Sequence, residues 1–151
     1  MKHVITALFS ASLVYSSLAL AEQSSSFDNY VAHYNALTTD QILPSVARPY
    51  GILRSKNRAL INISVQKKVM GTPVHAVEAK ITVTATNLNA QLKTVDMRQV
   101  VSSDDDGSKA IYYIGEVPVA HKESLTFKVS IAPTGTDITH EFNFKQQFFT
   151  K

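Results

Sequence analysis

Apolar side chains recur at every second position over much of the chain. Ala59, Ile61, Ile63 and Val65 alternate with Leu60, Asn62, Ser64 and Gln66, and Val77, Ala79, Ile81, Val83 and Ala85 alternate with Glu78, Lys80, Thr82, Thr84 and Thr86. A period of two places each set on one face of an extended chain, so both segments read as strands with one buried face. Leu125, Phe127, Val129 and Ile131 repeat the pattern, and residues 138–149 place Ile138, Phe142, Phe144 and Phe148 on one side. Residues 27–37 are an expected first strand and residues 92–101 a weaker fourth. Residues 110–119 are apolar on both faces, which marks a central strand or one covered by another segment. Residues 69–74, with Gly71 and Pro73, join the second and third strands, and Pro133 to Asp137 form a turn. Residues 44–50 suit one helical turn, with Pro44 at a first helical position, Pro49 limiting its length and Gly51 stopping it. Seven strands at hairpin spacing most simply form a single antiparallel β-sandwich, all-β and immunoglobulin-like in architecture.

The amino terminus departs from this period. Lys2 and His3 precede an apolar stretch, residues 4–20, which ends in Ala19-Leu20-Ala21 followed by Glu22. A positive start, an apolar run and small residues at the exit predict a signal peptide over residues 1–21, cleaved after Ala21. Ser10, Ser12, Ser16 and Ser17 dilute the run, which favours cleavage over a retained membrane anchor. Residues 22–26 then read as a polar spacer and residues 27–151 as the sandwich domain. A domain of that size buries roughly two-thirds of the surface its unfolded chain exposes, so a core needs no staple.

Composition removes several function classes. The chain has no cysteine, which excludes a disulfide framework, a thiolate metal site and a thiol nucleophile. A mean hydropathy of −0.03 excludes a multispanning membrane protein. The formal net charge of +3 includes Lys2 of the expected leader. Bulk charge therefore gives no argument for a nucleic-acid partner.

Candidate chemistry is sparse. The run Asp104-Asp105-Asp106-Gly107 has carboxylates in sequence instead of at the alternate positions of a calcium loop, and it reads as a solvated hairpin turn. His33, His75, His121 and His140 are never at the i, i+2 or i, i+4 spacing of a shared metal site, and no G-x-S-x-G elbow or glycine-rich phosphate loop occurs. No cofactor or metal is implied. Asp96, Arg98 and Glu116 fit a cross-strand ion pair.

Two surface constellations remain. Arg54, Lys56 and Arg58 share one parity, so an extended chain would line them on one solvent face. That row either protects a sheet edge by charge or, with Asn57 adding a hydrogen bond, binds an anionic ligand. If residues 54–58 are a turn, the alignment fails. Tyr30, Tyr34, Tyr112 and Tyr113 offer a tyrosine-rich surface, of which Tyr112 and Tyr113 are the candidate binding pair. Residues 38–58 are the only long connection, and long loops on rigid sandwiches carry binding.

HYNAL (residues 33–37), YGILRSKNRALINISV (50–65), AIYYIGE (110–116) and FNFKQQFFT (142–150) resemble a family of secreted gammaproteobacterial proteins known as domain of unknown function number 4426. The resemblance covers nearly all of the chain after the leader and implies a Gram-negative periplasmic location. It implies no activity, so no catalytic residue carries over. The expectation is a non-enzymatic periplasmic interaction or binding module, with an envelope protein or anionic ligand as partner. The alternative is a small hydrolase or ligand-binding enzyme with a loop-assembled site. A deep polar pocket favours the second and a flat surface with an apolar patch the first.

Overall fold

The computed structural model describes residues 23–151, so the expected leader and its cleavage site lie outside the described residues. The described residues are all-β, with two antiparallel sheets, one short α-helix and a 3-10 turn at Thr39–Gln41. The first strands are β1 (Gln23–Phe27), β2 (Tyr30–Thr38), β3 (Arg58–Lys67), β4 (His75–Ala76) and β5 (Ala79–Asn87). They are followed by β6 (Leu92–Val95), β7 (Arg98–Ser103), β8 (Lys109–Pro118), β9 (Ser124–Pro133) and β10 (His140–Gln147). The larger sheet runs β1-β2-β3-β8-β7, with β4 also paired to β3; the smaller runs β10-β9-β5-β6.

Alternation places the core as expected. Ala59, Ile61, Ile63 and Val65 of β3 meet Val83, Ala85, Phe127, Val129 and Ile131 of the smaller sheet in one buried cluster. Phe144 stacks on Phe127 with centroids 4.8 Å apart, and Tyr34 of β2 touches Phe142 and Phe144 at 4.7 Å each. Aromatic contacts at these separations add to plain area burial.

Ten strands replace the expected seven, for identifiable reasons. The spacer expected at residues 22–26 contributes most of β1, which pairs with β2 from Gln23↔Tyr34 to Phe27↔Tyr30. Its serines carry no apolar alternation, and the backbone ladder holds it together with the side chains of Ser25 and Phe27. The expected strand over residues 27–37 is broken by a turn in which Asp28 takes a φ of 46°.

The expected strand over residues 92–101 is two strands in different sheets. β6 pairs with β5, and after Asp96 and Met97 the chain crosses to pair β7 with β8. Gly115 of β8 makes room for that crossing. A Cβ there would lie 2.6 Å from Met97 Sδ and Val95 Cγ1 and 3.0 Å from the Asp96 carbonyl oxygen. At the opposite edge the sheets are joined without a crossing: Ser25 Oγ lies 2.8 Å from His140 Nε2, and the His140 ring stacks on Phe27 at 4.3 Å.

Candidate functional site

The outer face of the larger sheet is where this sandwich departs from an ordinary solvated surface. Outward positions of β3 run Ser64, Asn62, Leu60 and Arg58, and those of β8 run Tyr112, Ile114 and Glu116. Leu60 and Ile114 are each only 6% exposed yet stand apart from the central core. What covers them is the connection between β2 and β3, which folds back over the sheet. The apolar character of both faces of residues 110–119 is thereby explained.

That connection is held in shape by side chains bonded to main-chain carbonyls. Thr39 is fully buried; its hydroxyl shares its proton between Leu53 O at 2.8 Å and Ser55 O at 3.0 Å, and accepts the Ser55 N–H at 2.8 Å. Arg54 donates from Nε to Ile42 O at 2.6 Å and from Nη2 to Asp40 O at 2.7 Å. Arg98 of β7 donates to Tyr50 O and ties the far end to the sheet. Between these ties lies the helical turn α1 (Pro44–Ala47), with proline at its start. Ile52 N–H bonds Ala47 O, and Gly51 at φ 64° lets the chain reverse.

Between loop and sheet lies a crevice of about 300 Å³. Ile42, Val46, Tyr50 and Ile52 form its loop wall, Leu60 and Ile114 its floor, and Val100, Ser102, Tyr112 and Asn62 its remaining sides. Among the described residues no carboxylate, amine, guanidinium or imidazole lines it. Asn62 Oδ1 is shielded from solvent and accepts no hydrogen bond among the described residues.

Among the described residues three further compartments adjoin it, one of them a hollow of about 120 Å³ lined by Ser64, Tyr112 and Lys109. Toward Ser64, Asn62 and Tyr112 also border a niche of about 70 Å³ with His33, Asn35 and Ser64. Toward Arg58, Leu60 and Ile114 also border a cavity of about 290 Å³ with Arg58, Asp96, Arg98 and Glu116. Along β3 the outer face therefore runs from the polar niche through the apolar crevice to the end that holds Arg58, Asp96, Arg98 and Glu116. The charged end is internally compensated: two cations face two anions, and Arg58 Nε lies 3.0 Å from Glu116 Oε2.

The residues singled out from sequence do not converge. Lys56 and Asn57 form a turn, so the expected row Arg54, Lys56, Arg58 is not built. Arg54 is spent on its own loop, Arg58 pairs with Glu116, and Lys56 stands exposed on the turn. Asn57 is also exposed, and its carbonyl accepts the Val119 N–H at 2.9 Å.

Tyr112 and Tyr113 point to opposite faces, as neighbours on a strand must. Tyr112 is 38% exposed and lines the crevice, whereas Tyr113 is 5% exposed in the core. The Tyr113 hydroxyl accepts the Ala79 N–H at 2.8 Å and donates to Gln99 Oε1 at 3.2 Å; burial pushes its pKa above the ordinary phenol value. Tyr30 is also buried, so the four tyrosines share no surface. The acidic run is the β7–β8 turn, closed by Gly107 N–H to Asp104 O at 2.9 Å and Ser108 N–H to Asp106 Oδ1 at 2.8 Å.

Sequence reasoning missed Leu60, Asn62, Val100 and Ile114. One signal was available: Leu60 is the single large apolar residue on the otherwise polar face of β3.

Comparison with known proteins adds a relationship without an activity. Residues 24–151 match the family model of a domain of unknown function, DUF4426. The crystal structure of a DUF4426 family protein from Pseudomonas aeruginosa PAO1 is similar, with 29% sequence identity and a TM-score of 0.68 over 85% of this chain and 94% of that one. None of the curated proteins matches the chain.

Proposed function

The chain belongs to the DUF4426 family, and from that premise we propose that it is a non-enzymatic binding module of the periplasm. In this reading it is exported by cleavage after Ala21, built as an immunoglobulin-like sandwich, and uses the loop-covered outer face of its larger sheet to hold an envelope component. The apolar crevice carries the reading. Its floor is apolar, its wall is fixed by ties to main-chain carbonyls, and a wall already in place loses little entropy when a partner arrives. The hydroxyls that line it, on Tyr50, Ser102 and Tyr112, have no imidazole or carboxylate among the lining residues to activate them. That supports recognition over turnover.

The test is recovery of cross-linked partners from intact periplasm with the natural chain and with Val46→Asp. Val46 is 46% exposed at the crevice rim, so a carboxylate there spoils the apolar wall without entering the core. Loss of captured material with an unchanged melting temperature is expected. Undiminished capture would place the working surface elsewhere. Intact-mass analysis of the same fraction should show a chain beginning at Glu22.

A further inference from the structure

We infer that the crevice and the niche beside it take a single small uncharged amphiphile, with its apolar tail over Leu60 and Ile114 and a hydroxyl or amide hydrogen meeting Asn62 Oδ1. The inference rests on the reading of this crevice as a binding site and adds the chemical class of the ligand.

Volume and lining define the tail. A cavity of about 300 Å³ is at the small end of the range for ligand pockets, and its floor and, Tyr50 apart, its loop wall are built of aliphatic side chains. A short hydrocarbon chain fits that space and a large ring system does not.

Asn62 defines the head. It borders both the crevice and the niche, so a head group leaving the apolar floor meets it first. Its Oδ1 is a buried acceptor with no donor among the described residues. An acceptor in that state gains from a ligand that brings an N–H or O–H, and it opposes a ligand that brings only lone pairs. A carboxylate is such a ligand at neutral pH. The His33 imidazole lines the niche but no lysine or arginine does among the described residues, and Lys109 lines the next hollow, which shares Ser64 and Tyr112 with it. The guanidinium groups of Arg58 and Arg98 lie in the compartment at the other end, bonded to Glu116 and to Tyr50 O. Uncharged donors are therefore selected at the Asn62 acceptor, which a carboxylate's lone pairs oppose.

Matched probes separate these terms. Calorimetric titration of the purified protein with octanamide is expected to saturate, and octanoate, of equal tail length, to bind about tenfold or more weakly. Asn62→Leu removes the acceptor while keeping a branched side chain, so it should weaken octanamide about tenfold and leave octanoate no weaker. The unliganded melting temperature of that variant should not fall, because the deleted acceptor holds no bond. Val100→Trp, on the edge strand β7, fills the crevice and should weaken both probes without touching the core.

Absence of saturation by octanamide would overturn the inference, as would octanoate binding as tightly or Asn62→Leu binding as the natural chain does. If octanamide fails while Val46→Asp still abolishes partner capture, the ligand class is wrong and the binding face stands. If capture is also indifferent to Val46→Asp, both fall.

Discussion

Tyr113 does its work through one oxygen. Its hydroxyl satisfies the Ala79 N–H inside the core, so Tyr113→Phe should strand that donor and cost about 1–3 kcal/mol in urea unfolding. Tyr112→Phe, one residue earlier and half in solvent, should cost nearly nothing. That division is written in the sequence, since adjacent strand residues must face apart; grouping the two as one surface disregarded the same alternation that placed the core correctly. Asn62 was not legible in this way, because an asparagine on a polar face looks solvated until the segment that covers it is known.

Glu123 supplies a residue-scale pH dependence. Burial alone would raise its pKa, but the Ala120 N–H at 2.8 Å, the Asn87 amide and the Lys93 ammonium at 3.0 Å outweigh burial and hold it below the ordinary carboxylate value. Between the folded and unfolded values the unfolded chain binds more protons, so the contribution is present above the ordinary carboxylate range and is lost as pH falls through the folded value. Glu123→Gln should therefore lower the urea midpoint at neutral pH. The gap to the natural chain should narrow as pH falls below the ordinary carboxylate range.

At the scale of elements, the crossing from β6 to β7 depends on the missing side chain of Gly115. Gly115→Ala should destabilise the fold by about 1–3 kcal/mol, because the added methyl meets two side chains and a backbone carbonyl that belongs to the crossing itself. A value near zero, measured by chemical unfolding, would show that the crossing can shift. Nothing between Leu92 and Val101 marks the break with glycine or proline, so the segment reads as one strand. The change of sheet is a demand of the tertiary structure. The long connection after β2 was legible as the place to look, and its helical turn from Pro44 is present. Its side-chain ties were not, because Thr39 and Arg54 bond carbonyls 12 to 16 residues away.

For the whole molecule, two layers and one core followed directly from the period of two. Phe127 lies at the centre of that core, fully buried and stacked on Phe144. Phe127→Ala should cost about 3–5 kcal/mol in cooperative unfolding, equally in reducing and oxidising buffer, since no cysteine takes part. The strand count was less legible, because β1 has no apolar alternation and β4 is only two residues long.

Most of the ties that shape the β2–β3 connection end on backbone oxygens, and every residue has one. Leu43, Val46 and Leu53 project from that frame into solvent, and no side-chain hydrogen bond holds them there. Shape and selectivity are thereby carried by different atoms. A library randomised at these three positions, with Thr39, Arg54 and Arg98 kept, should retain the melting temperature of the parent while its members diverge in what they retain on a column. The fold would then serve as a small cysteine-free scaffold for evolving new binders.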